Sequence, residues 1–277
     1  MDGIHSLEKT SLTEVHAAFV DAFSEYEVPI DMPEAALREM LETRSYRPEY
    51  SYGYFVEGKL ASFILVGIRT RKGILTAYDS GTGTIKEFQG KGLGSRLLED
   101  VIGRLGARGV KRFLLEVLEH NEAAQSLYRR YGFEVTRKLN CYKREGVPEG
   151  GDAAAEGRPG PESLADDAES ITFAPTWQNE YASYVNASER YDFIADAAEA
   201  RNFGIVHKRN GSILQLGLSA DSIGSEKEKR LFALLEARGE GKGLKYLNVE
   251  DGAAIEAVLA RNGFGIYISQ YEMALDL

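Results

Sequence analysis

Ile85–Arg96 reads IKEFQGKGLGSR, a strand-like run that opens into alternate glycines and then a helix. Gly90, Gly92 and Gly94 let the backbone turn tightly and leave amide N–H groups unshielded by side chains. The predicted helix points its dipole and the unpaired N–H donors of its first turn back at that turn. Lys86, Lys91 and Arg96 bring cations to the same place. These features together describe a phosphate cradle, and a pyrophosphate is its natural guest.

Other phosphate-binding patterns do not fit. A Walker A loop requires Gly-Lys-Ser/Thr, but Gly92 follows Lys91; a dinucleotide fingerprint requires a sixth-position glycine where Ser95 or Leu97 stands. Before the loop, Tyr52–Val56, Leu60–Ile68 and Ile74–Tyr78 read as strands joined by turns at Glu57-Gly58-Lys59 and Arg71-Lys72-Gly73. The glycine-rich run Asp79–Thr84, DSGTGT, suggests a bulge or a close backbone approach to a ligand. Nearer the N-terminus, Thr10 or Ser11 caps a helix with Leu12, Val15, Phe19, Ala22 and Phe23 on one face, which Val28-Pro29 breaks. Asp31 with Glu34 reads as a capping box for a second helix.

After the loop, Leu97, Leu98, Val101, Ile102 and Leu105 have helical spacing, Phe113–Leu118 is a short strand, and Asn121 caps a helix that stops at Gly132. Val135–Lys143 is the next strand. Gly146–Ser170 then lacks any aromatic residue and is dominated by Gly, Pro, Ala and acids, the composition of a flexible linker; a long surface loop is the alternative. Beyond it, a shift of 131 residues lays Ala123, Leu127 and Gly132-Phe133 on Ala254, Val258 and Gly263-Phe264, which indicates a domain duplication.

The chain has 277 residues, a net charge of −10, 43% hydrophobic residues and one cysteine, Cys141. Its length suits one large or two ordinary domains, and its charge argues against nucleic-acid binding. No apolar run approaches the roughly eighteen residues of a membrane span, and no signal peptide is evident. A cytoplasmic setting, no membrane partner and no metal site are expected, with the chain a monomer or homodimer.

Taken together, Gln89-Gly90-Lys91-Gly92-Leu93-Gly94, then Asn121, Leu127-Tyr128 and Gly132-Phe133, resemble the GCN5-related N-acetyltransferase (GNAT) superfamily. The resemblance covers residues 4–145 closely and 171–277 weakly. It implies an α/β fold (α+β, mixed sheet): two GNAT-like domains, each with a central, mostly antiparallel twisted sheet flanked by helices. The expected division is a catalytic domain at 1–145, the linker at 146–170 and a degenerate copy at 171–277.

The resemblance further implies acetyl-CoA as cosubstrate, its pyrophosphate on the N–H groups of Gln89, Gly90, Lys91, Gly92, Leu93, Gly94 and Ser95. Its pantetheine arm would pair with the backbone of Thr82, Gly83 and Thr84. Tyr128 matches the family's proton donor to the leaving thiolate; a core tyrosine is the other reading. Glu116, a charge inside the apolar run FLLEVL, matches the general base of ribosomal-protein N-terminal acetyltransferases, against a reading as a solvated or ion-paired carboxylate. Asn121 either bonds the pantetheine arm or caps its helix. Glu25, Tyr26 and Tyr78 are candidates for the acceptor side, and Glu87 is a weaker alternative base.

At an offset of 130, Ser219–Gly224 stands opposite the phosphate loop with two of its three glycines gone and Asp221 added. At 131, Leu259 replaces Tyr128 and Gly252 replaces Asn121. One active site, in the N-terminal half, is therefore expected. The reading is transfer of an acetyl group from acetyl-CoA to a primary amine of a small molecule or peptide, with an acetyl-CoA sensor lacking turnover as the alternative.

Overall fold

The structure is a computed structural model and describes residues 2–24, 32–145, 173–196, 199–238 and 243–277. It forms two compact units: Met1–Val117, Asn121–Thr136 and Glu272–Leu277 make unit 1, and Leu118–His120 with Arg137–Tyr271 make unit 2. The linker Gly146–Ser170, the Val28-Pro29 helix break and the acceptor-side candidates Glu25 and Tyr26 lie outside the described residues.

Unit 1 contains β1 (Gly3–Ser6), α1 (Leu12–Phe23), α2 (Glu34–Thr43), β2 (Tyr52–Val56), β3 (Lys59–Arg71), β4 (Ile74–Thr84), α3 (Leu93–Ala107), β5 (Arg112–Leu118, to Val117), α4 (Glu122–Arg130) and the first residues of β6 (Glu134–Arg144). Strands β1 to β4 pair antiparallel in chain order, and β5 joins β4 in parallel. Both hairpin turns carry two successive left-handed residues, Glu57-Gly58 and Lys72-Gly73, the conformation that matches strand twist in two-residue loops. Ser11 caps α1 through a capping box with Glu14, as its spacing predicts.

The capping box expected for α2 depends on Asp31 and so lies outside the described residues. The N-cap of α2 is Pro33, which supplies no side-chain bond. Glu34 accepts from Thr13 Oγ1 of α1 at 2.9 Å. Leu7, Val15, Phe19, Leu37, Leu41, Phe63 and Leu65 form a buried core on the α1–α2 side of the sheet.

Unit 2 contains α5 (Tyr181–Val185), β7 (Tyr191–Asp196), β8 (Glu199–His207), β9 (Ser212–Gly217), α6 (Glu226–Arg238), β10 (Leu244–Glu250), α7 (Ile255–Arg261) and, to Tyr271, β11 (Gly265–Asp276). Strands β7, β8 and β9 pair antiparallel, β9 and β10 are parallel, and β10 is antiparallel to β6. Phe232, Leu235, Val249, Val258, Leu259 and Phe264 fill its core, while Leu247 is only half-buried. Each unit is thus a mixed sheet with helices against it. The last residues of the chain belong to unit 1, where Leu277 N–H donates to Lys111 C=O at 3.0 Å and Arg112 pairs with Asp276 at 3.0 Å.

Candidate active site

The site of unit 1 begins where β4 and β5 stop pairing. Their register holds at Thr76–Arg112, Ala77–Phe113 and Tyr78–Leu114. Beyond that step β4 runs on to Thr84 and β5 to Leu118 with no further paired residues between them. A bulge sits at the same point: Asp79 faces Val66 and Gly81 faces Leu65, which leaves Ser80 as the extra residue. The Ser80 carbonyl accepts from Arg44 at 2.8 Å, while its buried hydroxyl has no partner among the described residues. Among the described residues, the gap leaves one backbone edge of Asp79–Thr84 without a strand partner, which suits an extended ligand arm.

The bulge expected in DSGTGT is present, but its glycines answer a different need. A Cβ on Gly81 would lie 3.1 Å from the Phe19 ring, and one on Gly83 would lie 2.6 Å from Phe63 and 2.9 Å from Ala22. These glycines let α1 and the β3 side chains close on the strand. Gly90 and Gly92 are the opposite case: both are left-handed, at φ 72° and 74°, and a Cβ on either would meet nothing within 4 Å. Gln89, Gly90, Lys91 and Gly92 are exposed, and Gly92 is the N-cap of α3.

Arg96 N–H is bonded to Gly92 C=O at 3.2 Å, so the donors just before it stand ahead of the helical ladder. Gln89 Nε2 folds back onto Thr84 C=O at 3.1 Å, and Lys91 Nζ lies 4.8 Å from the centre of the Phe88 ring. Gly94 is different again, since its Cβ would reach Thr84 Oγ1 at 3.4 Å; it brings α3 close to the end of β4. An open loop of amides ahead of a helix N-terminus, followed by a strand edge, fits a pyrophosphate with an extended arm.

Tyr78 and Glu116 meet across the start of the gap, where the tyrosine hydroxyl donates to the carboxylate. Glu116 lies two residues past the last paired step and is half-buried. Tyr128 is buried on α4, its ring edge-on to Phe133 at 5.6 Å, with Phe113 behind Phe133 at 5.5 Å. Asn121 caps α4, accepting from Ala124 N–H at 3.0 Å. Glu87 is exposed and paired with Lys59 at 2.7 Å, and Cys141 is a buried thiol.

Asp79, inside the DSGTGT run, is a further acid of this region. This buried residue accepts from Gly81 N–H at 2.9 Å and from Thr82 Oγ1 at 2.5 Å. Burial pushes its pKa up to about 6 in spite of those donors and of Arg44. The available signal was an acid in a strand whose neighbours are apolar or small. Thr82 therefore contributes a side chain to Asp79 as well as backbone to the open edge.

The corresponding places in unit 2 are filled by its own residues. Strands β9 and β10 also part after two paired steps, ending at Tyr246–Ile213. In their gap Asn179 Nδ2 donates to Leu214 C=O at 2.8 Å and to Leu247 C=O at 3.2 Å, bridging the two strands. Gln215 donates to Asn179 C=O at 2.6 Å, and the neighbouring Trp177 is fully buried. Two residues past the last paired step, where β5 has Glu116, β10 has Asn248 at φ 59°.

Unit 2's loop is one residue shorter, with Ile223–Ser225 between a 3-10 turn at Ala220–Ser222 and α6 where unit 1 has Gln89–Gly92 between a 3-10 turn at Lys86–Phe88 and α3. The backbone therefore matches left-handed Gly224 to Gly90, not to Gly94 as an offset of 130 suggests. Its amide is taken by Glu228, which accepts from Gly224 N–H at 2.7 Å, Asn262 at 2.7 Å and Arg261 at 3.1 Å. Burial alone would raise the pKa of Glu228, but these donors outweigh it and hold the carboxyl below its usual value.

A model of the acetyltransferase (GNAT) family matches residues 12–133. The chain is 30% identical over 122 residues to a probable spermine N(1)-acetyltransferase of Bacillus subtilis subsp. natto, covering 40% of this chain and 74% of that protein. It is 47% identical over 57 residues to a ribosomal protein bS18-alanine N-acetyltransferase of Salmonella typhimurium, 20% of this chain and 38% of that one. A solved tandem GNAT protein from the clavulanic acid biosynthesis pathway shares the fold, with a TM-score of 0.66 over 99% of this chain and 98% of its own at 11% identity. The chain belongs to the acetyltransferase (GNAT) family.

Proposed function

We propose that the protein transfers an acetyl group from acetyl-CoA to a primary amine, using unit 1 alone. The observation that carries this reading is the parting of β4 and β5 beyond Tyr78–Leu114, with an open glycine loop at the far end of β4. The loop amides of Gln89–Ser95 hold the pyrophosphate, and the Thr82–Thr84 edge takes the pantetheine arm as an added strand. Glu116 receives the proton that the amine loses on attack, directly or through water, and Tyr78 orients it. Tyr128 protonates the departing thiolate. Asn121 keeps α4, and hence Tyr128, in place.

The bridge through Asn179 and the occupied amide at Gly224 support confining the chemistry to unit 1. A polyamine is the acceptor to test first, given the chain's net charge of −10 and its spermine-acetylating relative. An N-terminal alanine is the second, given the bS18-alanine relative. Thiol release from acetyl-CoA, measured with spermine and with an alanine-N-terminal hexapeptide, should rise above the no-acceptor rate for at least one. Acetyl-CoA binding without turnover on either would overturn the reading in favour of a sensor.

A further inference from the structure

Ser80, the extra residue of the β4 bulge, carries a polar group that the steps above do not use. It is 2% exposed, and Arg44 Nη1 donates to its carbonyl at 2.8 Å. Its buried hydroxyl has no hydrogen-bond partner among the described residues. A buried hydroxyl left without a partner destabilises the fold, and a ligand that meets it removes that penalty.

The sheet register indicates which part of a ligand that is. Strands β4 and β5 last pair at Tyr78–Leu114; Ser80 stands two residues further along β4, and Glu116 two residues further along β5. The two flank the opening of the gap from opposite strands, and the Tyr78 hydroxyl ties Glu116 to the β4 side. The pantetheine arm is placed further along β4, at Thr82–Thr84, which leaves Ser80 to the reacting end. We propose that Ser80 is a specificity-determining residue whose Oγ accepts a hydrogen bond from the acceptor nitrogen and so selects a primary amine. This rests on the reading of Glu116 as the base of an acetyl transfer.

A neutral primary amine has one lone pair and two N–H bonds. The lone pair forms the new bond to the thioester carbon. The C–S bond breaks, its electron pair stays on sulfur, and sulfur takes the Tyr128 proton. Glu116 takes one proton from nitrogen and passes it to solvent, which resupplies Tyr128. The other N–H survives in the amide product, and it needs an acceptor of its own. A serine hydroxyl offers two acceptor lone pairs. A secondary amine has a single N–H, which Glu116 takes, and it would set carbon against Ser80 Oγ. A site built to bond a substrate N–H rejects analogues without it, by as much as about 10⁴-fold.

The test compares wild type with Ser80→Ala, using acetyl-CoA, spermine and the alanine hexapeptide, and each acceptor's counterpart methylated on its terminal nitrogens. Wild type should favour the primary amine by about 10²-fold or more in kcat/KM. Ser80→Ala should cut that ratio about tenfold or more, because the methyl group can enter the space the hydroxyl leaves. An unchanged ratio would overturn the proposal.

Two further measurements separate other roles for the hydroxyl. Ser80→Ala should melt no lower than wild type; a Tm several degrees lower would reveal a partner inside the fold and remove the proposal. Calorimetry should give acetyl-CoA an affinity within twofold of wild type, and a larger loss would assign the hydroxyl to the cosubstrate instead. Absence of turnover by wild type removes the acetyl-transfer reading itself, whereas turnover with an unchanged ratio in Ser80→Ala removes only the role of Ser80.

Discussion

The Tyr78 hydroxyl donates to the Glu116 carboxylate at the point where β4 and β5 cease to pair. The bond ties a side chain of one parting strand to a side chain of the other. A hydrogen bond to a charged group contributes about 1.5–3 kcal/mol, and a base that must meet an amine gains most from being held still. Tyr78→Phe should therefore lower kcat about tenfold, and Glu116→Gln about 10²-fold, in steady-state assays. In Glu116→Gln the further loss from Tyr78→Phe should shrink, since the pair acts together.

Gly90 and Gly92 separate binding from stability. Alanine at either would cost about 1–2 kcal/mol for its left-handed backbone, with no clash, because the added Cβ meets nothing. That free space is where the pyrophosphate is proposed to lie. Gly92→Ala should raise the KM for acetyl-CoA tenfold or more with kcat nearly unchanged, and lower Tm by a few degrees. An unchanged KM would place the phosphate elsewhere.

Asp79 predicts a pH-dependent stability difference. Its folded pKa, about 6, lies above the ordinary carboxyl value of 3.8, so the folded state binds its proton more tightly than the unfolded state. Ionised Asp79 thus destabilises the fold above pH 6, by up to about 3 kcal/mol, and this cost disappears as pH falls through 6 toward 4. Asp79→Asn should be more stable than wild type at pH 8 and lose that advantage near pH 4, in paired urea titrations.

Unit 2 predicts the stoichiometry. Calorimetry should find one acetyl-CoA per chain. Asn179→Ala removes the donor to both Leu214 and Leu247 carbonyls in a buried setting, and should destabilise the protein by about 2–3 kcal/mol. A second acetyl-CoA bound by wild type would mean that the Asn179 bridge and the Glu228 carboxylate do not exclude it.

Much of the fold was legible because its signals are local. The Ser11 cap, the Gly58 and Gly73 hairpin turns and the helical stripe from Leu97 to Leu105 each lie within one element, and each stands where its pattern places it. The α2 start was less legible, because Glu34 bonds Thr13 of another helix, a partner that chain order does not reveal. The register of the eroded loop also misled: sequence similarity slid Gly224 onto Gly94, while a one-residue deletion and its left-handed φ match it to Gly90.

By itself the sequence determined the glycine loop ahead of α3, the cap at Asn121 and the presence of Glu116 and Tyr128 as candidates, because spacing along a strand or helix sets where such residues can point. Tertiary structure decided the rest. It gave Gly81 and Gly83 to the packing of α1 and Phe63, joined Tyr78 to Glu116, and buried Asp79 against Gly81 N–H and Thr82 Oγ1. It also filled the strand gap of unit 2 with Asn179 and its loop amide with Glu228. Burial and hydrogen-bond partners are properties of folded neighbours, and residues distant in the chain acquire them only when the sheet and helices pack.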